Sequence, residues 1–152
     1  AAMLRAKVAD PMTREGIQAL FDRRRDAINR HDSATLAMMH DPAGEVESPT
    51  AGGTVSGRPA IEQVYRAWFT AFPDLVYSPD ELLIDGDRVA EVATLSGADT
   101  GGFMGLPATG KPFRLPIFSL STVKDGLIVH ERRIYDFTGL LVQIGGLKAK
   151  PA

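Results

Sequence analysis

The residues of this chain with chemistry to offer cluster near its C-terminal end. Asp125-Gly126 is a two-residue turn signal, because both positions tolerate positive φ. The strand it opens runs from Leu127 to about Asp136 and carries His130, Glu131, Arg132, Arg133, Tyr135 and Asp136. Strand side chains alternate between faces. One face therefore takes Leu127, Val129, Glu131, Arg133 and Tyr135, and the other takes Ile128, His130, Arg132, Ile134 and Asp136. Ionisable groups on a half-buried sheet must be paired or solvated. A polar pocket on the sheet satisfies that, and so does a solvent-facing row of charges. Glu131 and Arg133, two apart, stand roughly 6.5–7 Å from one another along a strand, within reach of an ion pair.

Other chemistry is excluded by composition. The chain has no cysteine, which removes disulfides, thiolate zinc sites and a cysteine nucleophile. No metal site is expected. His31 and His40 flank a short helix without metal-ligand spacing and read as surface or capping residues. The glycine-rich loop of Gly101, Gly102, Gly105 and Gly110 has no Lys-Ser or Lys-Thr pair opening a helix, so it is not a phosphate cradle. A net charge of −2 gives no nucleic-acid footprint. The one dense basic run, Arg23-Arg24-Arg25, falls on a predicted helix and reads as a solvated face. No apolar run reaches the ~18 residues of a membrane span, and the first ten residues lack the apolar core of a secretory signal. A cytoplasmic location is the expectation.

The elements that must position these residues come in a simple order. Residues 1–12 read as a flexible N-terminal arm and 13–152 as one domain, a size suited to a single core. Thr13 caps a helix to about residue 30 with Ile17, Leu20, Phe21, Ala27 and Ile28 on its apolar stripe. Asp32 or Ser33 caps a short helix through Met39. Prolines and glycines then restrict Asp41–Gly57 to short strands near Glu45–Ser48 and Thr54–Ser56. Pro59 suits the first turn of a third helix, whose stripe is Ile61, Val64, Tyr65, Trp68, Phe69 and Phe72. Trp68 on this stripe fits core packing and also fits a pocket wall. Strands follow near Leu82–Asp85, at Arg88–Asp99, at Phe113–Val123 and after Asp125-Gly126, linked by hairpin signals. Pro112 and Pro116 predict an edge or a bulge early in the third of these. A short helix over Thr138–Ile144 closes the chain, stopped by Gly145-Gly146. Helices first and linked hairpins second predict an α+β fold. A curved, mostly antiparallel sheet packed on the N-terminal helices leaves a conical cavity, the usual form of a small-molecule site.

Three stretches carry a resemblance to a known family. They are Gly97–Gly110 (G-A-D-T-G-G-F-M-G-L-P-A-T-G), Asp125-Gly126 through Tyr135-Asp136-Phe137 to Gln143-Ile144-Gly145, and the helix pattern around Gly57–Ile61 and Ala71–Leu75. Together they resemble the SnoaL-like polyketide cyclases of the NTF2-like (cystatin-like cone) superfamily, over nearly the whole chain. The resemblance implies the cone fold, a homodimer, a small hydrophobic partner, and aldol ring closure without cofactor or metal. It places the cyclases' acid/base aspartate at Arg133 and their histidine at Ser119. The position often held by histidine before the glycine-rich loop is Asp99. Asp136 matches a frequent family residue at the strand end, not the acid/base. In this register Arg133 faces the cavity with Glu131 and Tyr135.

Arginine cannot accept a proton near neutral pH but can stabilise an enolate or other oxyanion. The expected catalytic set is therefore Arg133 with Glu131 or Asp99, and the expected substrate contacts are Trp68, Ser119, Tyr135, Phe103 and Met104. Glu131 with Arg133 also fits a structural ion pair, and Asp99 also fits loop capping. Two function classes follow. One is a cofactor-independent cyclase, isomerase or hydrolase acting on a hydrophobic carbonyl or epoxide compound. The other is a ligand-binding or scaffold protein that keeps the cone without the chemistry.

Overall fold

Thr13 starts the first helix, its hydroxyl accepting the Gly16 N–H at 3.1 Å. In a computed structural model of the chain, which describes residues 10–148 and 150, this helix α1 spans Arg14–Asn29. Asp32 caps α2 (Ser33–Met38). The chain then enters β1 (His40–Ser48), makes one 3-10 turn over Pro49–Ala51, and returns as β2 (Gly53–Ser56). Pro59 sits in the first turn of α3 (Arg58–Ala71). Four strands follow: β3 (Val76–Asp85), β4 (Arg88–Ala98), β5 (Pro112–Lys124) and β6 (Leu127–Tyr135). Helix α4 (Phe137–Gln143) closes the domain, capped by Asp136, whose carboxylate accepts the Gly139 N–H at 2.8 Å. Of the expected N-terminal arm, residues 1–9 lie outside the described residues.

The six strands form one sheet in the order β2-β1-β6-β5-β4-β3. Every pairing is antiparallel except β1 with β6. The helices lie on one face of this curved sheet, the α+β cone that the order of elements predicts. Among the described residues no helix is long and apolar enough to cross a membrane.

Three local departures from the sequence-based expectations have physical reasons. Strand β3 begins at Val76, well before Leu82, because it is an edge strand. Pro79 needs no partner for its missing N–H there, and Asp80 is bulged out of register. Strand β5 is interior, yet its pairing with β6 covers only Ile117–Lys124. Pro112 and Pro116 thus lie where one side of the strand is free of β6, and the pairing with β4 runs through them without a bulge. The Gln143 amide serves this free side, accepting from Arg114 N at 2.8 Å and donating to Arg114 O at 3.1 Å. Lastly, β6 has a bulge at Val129, since Thr122 pairs with His130 while Val123 pairs with Ile128. The bulge breaks the simple alternation. Ile128, expected opposite Glu131, joins it on the buried face.

The core has two apolar clusters. One gathers Ile17, Leu20 and Phe21 of α1 with Val89, Val123 and Ile128 of the sheet. The larger one holds the stripe of α3 and the wider half of the sheet, including Phe72, Leu95, Phe103, Phe113 and Leu115. Trp68 lies in the larger cluster, with ring centroids 5.6 Å from Phe72, 5.3 Å from Phe103 and 5.7 Å from Tyr135. Truncation there leaves a large void. We expect Trp68→Ala to lose about 3–5 kcal/mol of unfolding free energy in urea titrations; a loss below about 1 kcal/mol would contradict the packing.

Candidate active site

A polar layer separates the two apolar clusters, and it can be read along each element. On α1 the buried face runs Ile17, Leu20, Phe21, Arg24, Ala27, Ile28. On β4 it runs Val89, Glu91, Ala93, Leu95; on β5, Val123, Ser121, Ser119; on β6, Ile128, then Glu131 and Arg133 after the bulge. Each element therefore contributes apolar residues, then polar ones, and the polar ones meet at one level of the cone.

Arg24 corrects the reading of the arginine run. Arg23 and Arg25 stay at the surface, while Arg24 is only 4% exposed. The 3.6-residue period decides this, because Arg24 falls three after Phe21 and four before Ile28 on the stripe that must face the sheet. Glu91 and Tyr77 also escaped the sequence reading. His40, expected at the surface, is fully buried at the start of β1. The helix α2 ends against the sheet and delivers His40 into the cone. One signal was available for Arg24 and Glu91: a charged residue at a position where the helical or strand period demands an apolar one.

Glu131 sits at the centre of the layer with no exposed surface. Its Oε1 accepts from Arg24 Nη2 at 2.5 Å, and its Oε2 accepts from Arg133 Nε at 2.8 Å. Arg133 Nη2 lies 2.8 Å from that same Oε2, but without the direction of a hydrogen bond. Glu91 is held differently. Arg24 Nη1 reaches its Oε1 at 3.3 Å, and the Tyr77 hydroxyl donates to the same oxygen. The Arg133 guanidinium stacks over the Tyr65 ring at 4.6 Å. Behind Tyr65, its hydroxyl lies 3.2 Å from His40 Nε2.

These surroundings drive the two carboxyl groups apart. Burial alone would raise the Glu131 pKa, but the Arg133 and Arg24 charges outweigh it and hold the group at about 2. Burial likewise opposes the charge on both guanidiniums, and Glu131 together with the neighbouring tyrosines, and with Glu91 for Arg24, more than offsets it, so both stay ionised. Glu91 has the opposite fate: its pKa is raised by burial, which Arg24 and the Tyr77 hydrogen bond only partly counter. Burial lowers His40 to about 4, helped by Arg133, Arg24 and Arg58 and resisted by Glu131. His40 is therefore neutral near pH 7.

Above the polar layer opens a cavity. Its walls are apolar, with Tyr65, Trp68, Phe69, Leu95 and Ile117 prominent, and Arg24, Arg133 and Tyr77 of the polar layer also line it. Among the described residues, five buried side-chain polar atoms have no hydrogen-bond partner: Arg24 Nε, His40 Nδ1, Ser119 Oγ, Ser121 Oγ and Arg133 Nη2. All belong to this layer or to His40 beside it. Buried polar atoms are normally satisfied, by ordered water where no protein group is in reach; of these five, the two arginine atoms belong to residues that line the cavity. No group of three or more His, Asp or Glu side chains among the described residues is placed to share a metal ion.

The residues singled out from sequence are distributed as follows. Arg133, Trp68 and Tyr135 line the cavity. Glu131 lies beneath it and is paired, so the ion pair and the cavity floor are one structure. Ser119 stands across the β5–β6 pairing from Arg133. The Tyr135 hydroxyl is engaged by the turn after β1, donating to Thr50 Oγ1 at 2.9 Å and accepting from Thr50 N at 3.2 Å. Asp99 does not join them. Its carboxylate accepts from Gly102 N, Thr109 N and Thr109 Oγ1 at 3.1–3.2 Å and so closes the glycine-rich loop. That loop is docked on α3, with Gly101 so close to Thr70 O that a Cβ would lie 1.8 Å from it. Phe103 is taken up in the core against Trp68 and Phe72. Met104 adopts φ 52° in the loop and is 55% exposed, outside the cavity.

Two stability effects follow from these burials. His40 titrates near 6.5 when unfolded and about 4 when folded, so the unfolded chain binds the extra proton first. Its contribution is full above pH 6.5 and is lost as pH falls towards 4, to the extent of about 3 kcal/mol. Denaturant melts of His40→Gln should show a flatter profile across that window; an unchanged slope would contradict the burial. Glu131→Gln strips the shared counter-charge from two buried guanidiniums and should cost about 3–5 kcal/mol at pH 7, measured by the same melts.

Comparison with known proteins agrees with this architecture. A family model described as SnoaL-like polyketide cyclase matches residues 18–144. None of the curated proteins matches the chain. Among solved structures, TsrD from Streptomyces laurentii is 27% identical with a TM-score of 0.78, covering 89% of this chain and 98% of its own. AclR from Streptomyces galilaeus is 25% identical with a TM-score of 0.79, covering 91% and 87%. IdmH from Streptomyces antibioticus is 30% identical with a TM-score of 0.73, covering 84% and 97%. The matched span contains the whole polar layer, from Arg24 to Arg133, and with it the residues of the cavity. By that span this chain belongs to the SnoaL-like polyketide cyclase family.

Proposed function

We propose that this protein is an enzyme that takes a largely apolar, carbonyl-bearing compound into the cone and stabilises negative charge on its oxygen with Arg133. The observation that carries this reading is Arg133 Nη2, a buried cationic nitrogen of a residue that lines an apolar cavity; it touches Glu131 Oε2 at 2.8 Å without hydrogen-bond direction, so its N–H groups are not spent on that carboxylate. A carbonyl oxygen satisfies that donor, and an enolate oxygen satisfies it better. A guanidinium aimed at developing charge in a dry site stabilises the transition state more than the ground state, the requirement for rate acceleration. Cyclisation by carbon–carbon bond formation and isomerisation both pass through such an enolate. Glu131 orients Arg133 in this scheme. Clamped between two guanidiniums at a pKa of about 2, it is too weak a base to carry the proton, and Asp99 is spent on its loop.

A second reading, binding without turnover, is favoured by the sequence register. Aligned without gaps on the Asp125-Gly126 turn, Arg133 falls at the position of the resembled cyclases' acid/base aspartate, which would leave their own proton carrier missing.

Trp68 is the only tryptophan and lies in the cavity wall, which makes its fluorescence a reporter of occupancy. With the bicyclic ketone 2-tetralone as probe, the native protein should show saturable quenching. Arg133→Leu should weaken binding roughly 10- to 100-fold, the worth of one hydrogen bond to a charged group. Arg133→Lys should keep part of the affinity, because lysine lacks the planar fork. Equal affinity in Arg133→Leu would refute the assignment.

A further inference from the structure

We propose that Tyr77 and Glu91 are the proton-transfer pair of this cavity, Tyr77 exchanging the proton with the bound compound and Glu91 receiving it. The inference rests on the reading of the cavity as a carbonyl site and supplies what that reading lacks, a group able to take a proton.

The geometry separates the two buried carboxylates by role. Glu131 meets three guanidinium nitrogens at 2.5–2.8 Å, one from Arg24 and two from Arg133. Glu91 meets one, Arg24 Nη1, at 3.3 Å. Its other partner is the Tyr77 hydroxyl, which donates its proton to Glu91 Oε1. Tyr77 comes from β3 and lines the cavity, and Glu91 stands behind it on β4. With its proton turned towards Glu91, the phenol oxygen keeps its accepting capacity, which Arg24 engages only through a long contact. Arg24 Nη1 lies 3.4 Å from that oxygen, a contact that steadies charge building on it in passing. Every charged group facing Glu91 is then accounted for: Arg24 and, more distantly, Arg25 from α1, Tyr77 from β3, and Glu131 from β6, whose charge opposes ionisation of Glu91. Two carboxyl groups driven apart by their surroundings take different parts in acid/base work. The less compensated one, Glu91, is the better base, and burial moves it in the direction a proton acceptor needs.

The step balances within the chain and the bound ketone. The Tyr77 oxygen takes the proton from the carbon next to the carbonyl, while the phenolic proton passes to Glu91. The C–H electron pair becomes the carbon–carbon π bond of the enolate. The carbonyl π pair moves onto oxygen, where Arg133 faces it. Returning a proton along the same path restores the ketone, and in heavy water it returns deuterium once the Tyr77 hydroxyl, which holds the abstracted proton, has itself exchanged with solvent by way of Glu91. Tyr77 touches the reacting carbon; Glu91 acts through it and is a positioning and storage group.

The test is deuterium incorporation next to the carbonyl of 2-tetralone in heavy water, followed by proton NMR, with Trp68 quenching as a parallel measure of binding. The native protein should accelerate exchange saturably. Its rate should rise with pH through a single ionisation and then level off, because the ionised carboxylate is the active form. Tyr77→Phe and Glu91→Gln should bind the ketone within about threefold of native and exchange it at least 100-fold more slowly. The pH step should vanish in Glu91→Gln and persist, displaced, in Glu91→Asp. The aspartate variant also keeps the charge that Arg24 needs, so it carries the test if the glutamine variant does not fold. Binding without accelerated exchange in the native protein overturns this inference and leaves the Arg133 site standing, and so does a retained pH step in Glu91→Gln. Absence of 2-tetralone binding overturns the Arg133 reading and this inference with it.

Discussion

Glu131 can be both ionised and wholly buried only because Arg24 and Arg133 reach it from different elements. An unpaired carboxylate at that depth would cost several kcal/mol or stay protonated. Arg24 comes from α1 and Arg133 from the same strand as Glu131, so the charge that must be neutralised ties the first helix to the last strand. The sequence separation is 107 residues between Arg24 and Glu131. An apolar contact there would hold the two elements together over a range of sliding and rotation. A bridging carboxylate with one oxygen for each guanidinium fixes their register.

The same constraint shapes the space above it. Carrying two arginines and two glutamates across a core interrupts apolar packing, which is why one cluster lies below the polar layer and another around it and above. The larger cluster does not close over the layer. Trp68, Phe69, Leu95 and Ile117 wall a cavity instead, and the layer becomes its floor. The polar atoms left without partners there are the cost of this arrangement, and they give the cavity a chemical direction: apolar walls, cationic donors at the bottom.

Within the layer, symmetry of composition hides an asymmetry of environment. Two carboxylates and two guanidiniums sum to no net charge. Glu131 nevertheless takes nearly all of the strong contacts, and Glu91 is left with one longer contact to Arg24 and a phenol. Arg24 serves both, so its placement divides the layer into a fixed side around Glu131 and a titratable side around Glu91. The β6 bulge at Val129 contributes too, because it turns Glu131 and Arg133 inward while keeping Ile128 in the lower cluster.

How much of this was legible in the sequence follows from the range of the forces involved. Periodicity and turn chemistry are local, and they were enough for the order of elements, the caps at Thr13, the hairpin at Asp125-Gly126, the stripe of α3 and the α+β class. The spacing of Glu131 and Arg133 announced an ion pair on one strand face, and the resembled family put that face in a cavity. What lay beyond local reading were the partners. Nothing near Arg24 in the chain says that its charge is met by Glu131 and Glu91, from β6 and β4, so the run Arg23-Arg24-Arg25 read as solvated. His40 read as a helix-end surface residue because the strand that buries it was hidden by Pro42 and Gly44. Asp99 and Met104 looked available because a glycine-rich loop gives no local sign of folding back on α3. Sequence pattern determined which faces are buried. Tertiary structure alone decided which buried charges meet, because that depends on distances across the cone that no local spacing encodes.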